Sequence, residues 1–369
     1  MKIWWCKSAS SKLLGCRTAM RNRRGFIQSA ALGAGLGSTM SGMQPADSGK
    51  IDCQSHIFVP ELIRLMEKRK NPPYVRHQDG GTIVVVGDWV RRLQPKHTDA
   101  EAKVRDMDEA GIAMTGLSIN DPGPELFGAD GPAVARLVND FVAGIARKYP
   151  GRFFGLMVLP LQDMNESLKE MERCAGQLGM KGILLYSNLA GKWPDEPQFR
   201  PMFEQAARLD LPVLLHPAYP MTYEATKGYT MAAGLGLMFD TTIALARLIL
   251  AGVLDQIPGL KLVCPHVGGT LPYLIGRLDH QTQVLKRGAE NIRRPPSEYL
   301  KQVWLDTVSP IALAIRYGID FAGEDRVLYA SDHPWVDPRT ITGLVKSLQL
   351  PAATETKIFT SNARRLFRL

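Results

Sequence analysis

Ile51-Asp52-Cys53-Gln54-Ser55-His56-Ile57-Phe58-Val59-Pro60 is the stretch on which the reading of the whole chain depends. It is a short, largely apolar run with polar groups at alternate positions. Side chains two apart in a strand share a face, so Asp52, Gln54 and His56 are expected to point the same way. Three polar groups on one face of an apolar strand are costly to bury unless something binds them. The stretch therefore reads as the first strand of a metal-binding barrel.

The 369 residues suffice for one large α/β domain or two smaller ones. A hydrophobic content of 45% and a charged content of 22% are ordinary globular values. The net charge of +9 would suit a nucleic-acid partner, but its location argues against one. Lys2, Lys7, Lys12, Arg17, Arg21, Arg23 and Arg24 precede the first acid, so these seven positives account for most of the excess. No basic motif with interleaved aromatics follows them, and nucleic acid is rejected as a partner. Of five cysteines, Cys6 and Cys16 lie in this leader. Cys53, Cys174 and Cys264 show no paired spacing, so neither a disulfide framework nor a cysteine metal site is indicated.

Residues 1–50 read as a leader and linker ahead of a domain at 51–369. Asn22-Arg23-Arg24-Gly25-Phe26-Ile27-Gln28 has a twin-arginine pattern, followed by the mild apolar run from Ser29 to Gly37. That run is too short and glycine-rich for a permanent membrane anchor and fits a signal segment. Met20 is the more usual start for such a signal. Periplasmic export by the twin-arginine route, which carries folded proteins, is expected.

After Pro60 come an amphipathic helix (Glu61 to Arg69) and a Pro/Gly-rich insertion in which Thr82–Val86 reads as a small hairpin strand. Asp99 to Ala110 reads as a helix, with Ala102, Val104, Met107 and Ala110 on one side. Apolar strand-like runs then recur at Ile112–Ile119, Phe153–Leu159, Gly182–Tyr186, Val213–His216, Lys261–Pro265, Val303–Val308 and Val327–Ser331. Helical stretches separate them, among them Thr241–Leu254, Leu271–Arg287 and a last one from Ala352 to Leu366. With the opening strand this makes eight strands alternating with eight helices. Near-continuous apolar strands indicate burial on both faces, as in a parallel sheet. The pattern predicts a (β/α)8 TIM barrel with a small insertion after strand 1, ahead of a doubly wound open sheet.

In such a barrel, catalytic groups cluster where the strands end. His56, His216 and His266 fall at or just past the ends of strands one, five and six, and Asp332 just past strand eight. Imidazole and carboxylate are the standard ligands of a divalent metal. His56, His216 and Asp332 are accordingly assigned as ligands, with Gln54 beside them as ligand or substrate contact. His266, in Cys264-Pro265-His266-Val267-Gly268-Gly269, is assigned as acid/base or substrate donor. Tyr186, Phe58 and Trp335 are candidates to line a pocket for a planar substrate. His77, His97, His280 and His333 are read as bystanders, and Arg277 on its own as a surface arginine.

Taken together, the motifs resemble the amidohydrolase-related (amidohydrolase 2) family over about residues 51–369. Its best-known branch holds the α-amino-β-carboxymuconate-ε-semialdehyde decarboxylase-like enzymes, including γ-resorcylate decarboxylases. The resemblance rests on the opening stretch, Leu214-Leu215-His216-Pro217, and His266-Val267-Gly268-Gly269 with Gly276-Arg277-Leu278-Asp279. Tyr329-Ala330-Ser331-Asp332-His333-Pro334-Trp335 and the ending Asn362-Ala363-Arg364-Arg365-Leu366-Phe367 complete it. It implies one catalytic divalent metal, usually zinc and sometimes manganese, held by His56, His216 and Asp332, with His266 as acid/base. It also implies that Arg277 helps hold the active site across the interface of a homodimer. The family's opening motif usually carries His or Glu where this chain has Gln54. A bridging lysine at the end of strand four, needed for two metals, is replaced by Tyr186-Ser187-Asn188, which favours one metal.

Three functions follow. The first is non-oxidative decarboxylation of an aromatic or unsaturated carboxylic acid, with Asp332 or His266 delivering the proton. The second is metal-dependent hydrolysis of an amide, lactone or ester by the same residues, with Asp332 as base and His266 stabilising the oxyanion. The third is a metal-free binding protein on the same barrel, with Gln54 as its symptom.

Overall fold

Strands and helices alternate through residues 49–369, the part of the chain that this computed structural model describes. The leader and its twin-arginine pattern lie outside the described residues. In chain order the strands are β1 (Lys50–Ile57), β2 (Tyr74–Gln78), β3 (Gly81–Val86), β4 (Trp89–Arg92), β5 (Ile112–Ile119) and β6 (Phe153–Met157). They continue as β7 (Gly182–Tyr186), β8 (Val213–His216), β9 (Leu262–Cys264), β10 (Trp304–Asp306) and β11 (Val327–Leu328).

Eight of these form one sheet in the order β1-β5-β6-β7-β8-β9-β10-β11, each pair parallel. Every residue of β6 to β10 is buried, as the unbroken apolar runs required. The sheet closes because the chain continues extended beyond Leu328. Cys53 N–H donates to Tyr329 O at 2.9 Å, Asp332 N–H to Gln54 O at 3.0 Å and His56 N–H to His333 O at 2.7 Å. The architecture is the expected (β/α)8 barrel. β6 and the last three strands are shorter than the sequence runs, which carry on into the turns beyond the strands.

The insertion differs from expectation. Instead of one hairpin strand it holds an antiparallel three-stranded sheet, β2-β3-β4. Its outer strands carry His77, Gln78, Arg91 and Arg92, too polar to be read as strands from their own composition. The helix expected at Thr241–Leu254 runs Leu237–Leu250, extended upstream by a wide turn at Ala232–Gly236. Gly234 and Gly236 made that segment look like loop, but packing decides helix ends more than propensity does. The stretches expected at Leu271–Arg287 and from Ala352 to Leu366 each contain a similar wide turn, at His280–Val284 and Lys357–Ser361.

The helix Ala100–Ala110 matters for the site. Asp99 caps it by accepting from Glu101 N–H at 2.8 Å and Ala102 N–H at 3.1 Å, and Gly111 ends it at φ 64°, devices worth about 1 kcal/mol each. It lays Lys103, Met107 and Ala110 against the barrel.

Candidate metal centre and active site

Strand β1 delivers the first polar groups, and they do not share one environment. The register of β1 against β5 shifts between Asp52 and Ser55, and such an irregularity re-aims side chains. Asp52 turns to the closing seam, where it accepts from Ser331 Oγ at 2.5 Å and Ser331 N–H at 3.0 Å. Burial pushes its carboxyl above the usual range, against the pull of the Ser331 hydrogen bonds. It is a clip between the first and last strands. Gln54 and His56 face the site.

Two imidazoles have their tautomers fixed by backbone carbonyls. His56 Nδ1 lies 3.2 Å from Ile119 O and 3.0 Å from Ser118 Oγ. A carbonyl only accepts, so Nδ1 carries the proton and Nε2 presents a lone pair. His216 Nδ1 donates to Pro217 O at 2.8 Å, leaving its buried Nε2 without a hydrogen-bond partner among the described residues. Burial first, then the neighbouring His56, pushes the His216 pKa down to about 4, so it stays neutral at physiological pH. Both bare nitrogens turn toward Asp332 Oδ1, at 3.1 Å from His56 and 3.9 Å from His216. Burial would raise the Asp332 pKa, but His216, His266 and His56 around it hold it well below the usual carboxylate range.

One donor atom from each of His56, His216 and Asp332 lies within 4.8 Å of the others. Lone pairs crowded together without protons between them need a cation, and an imidazole held through its other nitrogen is the usual form of a metal-binding histidine. The donor set fits a divalent metal. Gln54 sits beside it, with Nε2 3.0 Å from Asp332 Oδ1 and 3.5 Å from His56 Nε2. Its buried Oε1 has no partner among the described residues; turning the amide over would aim that oxygen at the same point.

His266 follows β9 on a left-handed turn, with φ 55° at His266 and 57° at Val267. Such backbone costs about 1–3 kcal/mol per residue outside glycine, and Asp306 holds it. Asp306 Oδ1 accepts from Val267 N–H at 3.2 Å and from Val308 N–H at 3.0 Å. The turn brings His266 Nε2 to 3.8 Å from Asp332 Oδ2. Burial opposes charging His266, but the negative charge of Asp332 beside it prevails and holds its pKa above the ordinary imidazole value. Burial pushes Asp306 up to about 6, against the pull of His266.

A cavity of about 310 Å³ opens beside these groups, lined by His216, His266, Asp332, Trp335, Arg91 and Trp89 among others, a volume suited to a small ligand. Trp335 thus lies where the sequence suggested. Phe58 packs with His97 instead, their rings 6.2 Å apart, and Tyr186 is buried behind the rim. Arg277 is exposed on the helix Leu271–Asp279 and does not line the cavity.

Sequence reasoning missed four residues. Arg91 arrives from β4, bonding Asn120 Oδ1, Asp121 Oδ1 and Asp121 O. Its guanidinium stacks 4.8 Å from the Trp89 ring centroid. Nothing local marks it. Asp121 and Asp306 did carry a signal, since each lies at or just past a barrel strand's end. The fourth is Lys103, buried with His333, which had been read as a bystander.

The amidohydrolase family model (amidohydrolase 2) matches residues 51–369. The chain is 27% identical over 312 residues to 2-amino-3-carboxymuconate-6-semialdehyde decarboxylase of Dictyostelium discoideum, covering 81% of this chain and 86% of that one. It is 29% identical over 344 residues to γ-resorcylate decarboxylase of Rhizobium sp. (strain MTP-10005), covering 87% and 98%. Among solved structures it resembles 5-carboxyvanillate decarboxylase of Novosphingobium aromaticivorans, complexed with manganese and 4-hydroxy-3-methoxy-5-nitrobenzoic acid. The TM-score is 0.77 at 26% identity, covering 88% and 97%.

Proposed function

The chain belongs to the amidohydrolase family, and from that premise we propose that it is a metal-dependent non-oxidative decarboxylase of an aromatic or unsaturated carboxylic acid. The observation that carries this is the convergence of two proton-free imidazole nitrogens and one carboxylate beside a cavity that His266 also lines. His56, His216 and Asp332 would hold the ion, with Gln54 alongside. When bound, a divalent cation supplies positive charge for the substrate's carboxylate and a neighbouring oxygen. Manganese has the support of the similar 5-carboxyvanillate decarboxylase structure, which binds it, and zinc is the alternative.

The protein's own part is proton delivery. Asp332 sits among three imidazoles in the surroundings of an anion, so His266 is the better donor. The carbon–carboxylate bond breaks, its electron pair stays on the ring carbon, the proton on His266 Nε2 joins that carbon, and carbon dioxide leaves. Water then restores the proton. Arg91 places fixed positive charge at the cavity wall, its own charge matched by Asp121.

Arg277 would complete the site from a second copy. Leu235, Phe239 and Ile243 form an exposed apolar stripe at i, i+4 and i+8 on one helix. That helix packs against the Arg277 helix, which itself exposes Tyr273. A homodimer through this face is supported by that stripe. Export to the periplasm rests on Arg23 and Arg24 and is tested by fusing residues 20–50 to a reporter.

Incubation of manganese- or zinc-loaded enzyme with γ-resorcylate, 5-carboxyvanillate and a panel of lactones and esters tests the reaction. Carbon dioxide release is expected. Acid release from the lactones without any carbon dioxide would overturn decarboxylation in favour of hydrolysis.

A further inference from the structure

Next to the metal cavity lies a second and larger one, about 490 Å³, which the chemistry described above does not use. The same three segments build both. The β3–β4 hairpin gives Trp89 and Arg91 to the inner cavity and Val86 and Gly87 to the outer one. The loop after β5 gives Asp121 to the inner and Glu125 to the outer. The loop after β8 gives His216 and Pro217 to the inner and Ala218 and Tyr219 to the outer. Because consecutive Cα atoms are about 3.8 Å apart, the step from Pro217 to Ala218 sets the two cavities side by side at the mouth of the barrel.

The outer wall is a built structure. Tyr219 and Tyr223 stack at 4.9 Å, and Tyr223 Oη donates to Asp88 O at 3.0 Å, tying the loop to the hairpin. Tyr219 lies so close over Gly87 that a Cβ there would meet its ring at 2.6 Å. Val86, Leu126, Ala218, Pro220 and Met221 make the lining mainly apolar. Two acids interrupt it: Glu224, exposed and paired with Lys227 at 2.6 Å, and Glu125, only 8% exposed, whose carboxyl meets its own backbone N–H and, among the described residues, no cation. Burial pushes its pKa up to about 8, so it stands there as a neutral acid, able both to donate and to accept. An anion has nothing to bind in this chamber, whereas an uncharged ring or chain bearing a hydroxyl, ether or carbonyl oxygen does.

We propose that the substrate is longer than one benzoate ring: its carboxylate head sits at the metal centre, and a neutral, mainly apolar tail with one hydrogen-bonding oxygen fills the second cavity against Glu125. The head rests on the decarboxylase reading; the tail does not.

The test is binding to metal-loaded enzyme by titration calorimetry, with salicylate, 4- and 5-phenylsalicylate, and 4-phenylphenol as probes. At least one phenylsalicylate is expected to bind about tenfold tighter than salicylate, and 4-phenylphenol, which lacks the head, to bind detectably. Leu126→Trp, which fills the outer cavity, should erase both effects while leaving salicylate affinity unchanged. Met221→Trp serves the same purpose if Leu126→Trp does not fold. Phenylsalicylates no tighter than salicylate, or an advantage that survives the filling variants, would overturn the proposal. Turnover separates it from the parent reading. Tail binding without carbon dioxide from any acid sinks the decarboxylase and keeps the cavity; carbon dioxide from short acids with no gain from extension does the reverse.

Discussion

Lys103 Nζ and His333 Nδ1 lie 2.6 Å apart in the seam where the barrel closes, both residues buried. The ammonium also donates to Ser55 Oγ at 2.6 Å, and His333 Nε2 reaches Asp106 Oδ2 at 2.7 Å. Ser55 stands between Gln54 and His56, and His333 directly follows Asp332. One buried lysine thus ties together the two strands that carry three of the candidate ligands. Burial pushes its pKa below the ordinary lysine value, with Asp52 and Asp106 opposing.

Lys103→Met keeps the volume and removes the donors. His333 Nδ1 and Ser55 Oγ are then buried without their partner, at a cost of about 1–3 kcal/mol each. The variant should unfold at lower temperature and bind Mn²⁺ about 10–100-fold more weakly, as when a group supporting a ligand is lost. Unchanged melting and metal titration would remove Lys103 from this role.

His216→Ala deletes one candidate ligand without touching the seam. Purified native protein should carry close to one equivalent of metal by elemental analysis, and the variant far less. Sub-stoichiometric metal in both, with function intact in His216→Ala, would favour the metal-free binding protein.

Gln54→Glu puts a second carboxylate where Gln54 Nε2 now donates to Asp332 Oδ1 at 3.0 Å. Without metal the two carboxylates repel; with it they share the cation. The variant should be less stable than native when apo and gain more in melting temperature on adding Mn²⁺. A smaller gain than native would place Gln54 outside the metal's reach.

Asp306→Ala frees the turn that aims His266, whereas Asp306→Asn keeps an oxygen for Val267 and Val308 N–H. Loss of kcat by about 10²-fold in the alanine variant is expected from misplacing an acid by an ångström, with substantial recovery in the asparagine variant. Equal loss in both would mean that the charge of Asp306, not its clamp, is what matters.

Glu125 sets a pH dependence of stability. Its ordinary pKa of 4.5 rises to about 8 in the fold, so between these values the folded state binds more protons than the unfolded chain. Its contribution is fully present below about 4.5 and is lost as pH rises toward 8, by at most about 1.4 kcal/mol per pH unit. Denaturant unfolding of native protein and Glu125→Gln from pH 5 to 9 should show the variant losing less across that window.

The expected strand boundaries at Ile112–Ile119, Gly182–Tyr186 and Val213–His216 recur unchanged in the structure, because a strand buried on both faces declares itself in its own composition. His56, His216, His266 and Asp332 were legible for a related reason: polar residues ending apolar strands must face something. Asp52 carried the same pattern and went elsewhere, since a register shift inside β1 is invisible to alternation. Arg91 and Lys103 left no local trace at all. Their roles depend on a hairpin folding over the rim and on a barrel closing between residues nearly 280 positions apart.

What the chain determined by itself was periodicity, fixed by covalent geometry over a few residues: the eight strands and the polar groups close to their ends. Only the closed barrel decided which nitrogens keep their protons against backbone carbonyls, which acids become neutral, and which lysine is sealed inside. Those outcomes turn on burial and on partners remote in sequence, and no stretch of the chain contains them.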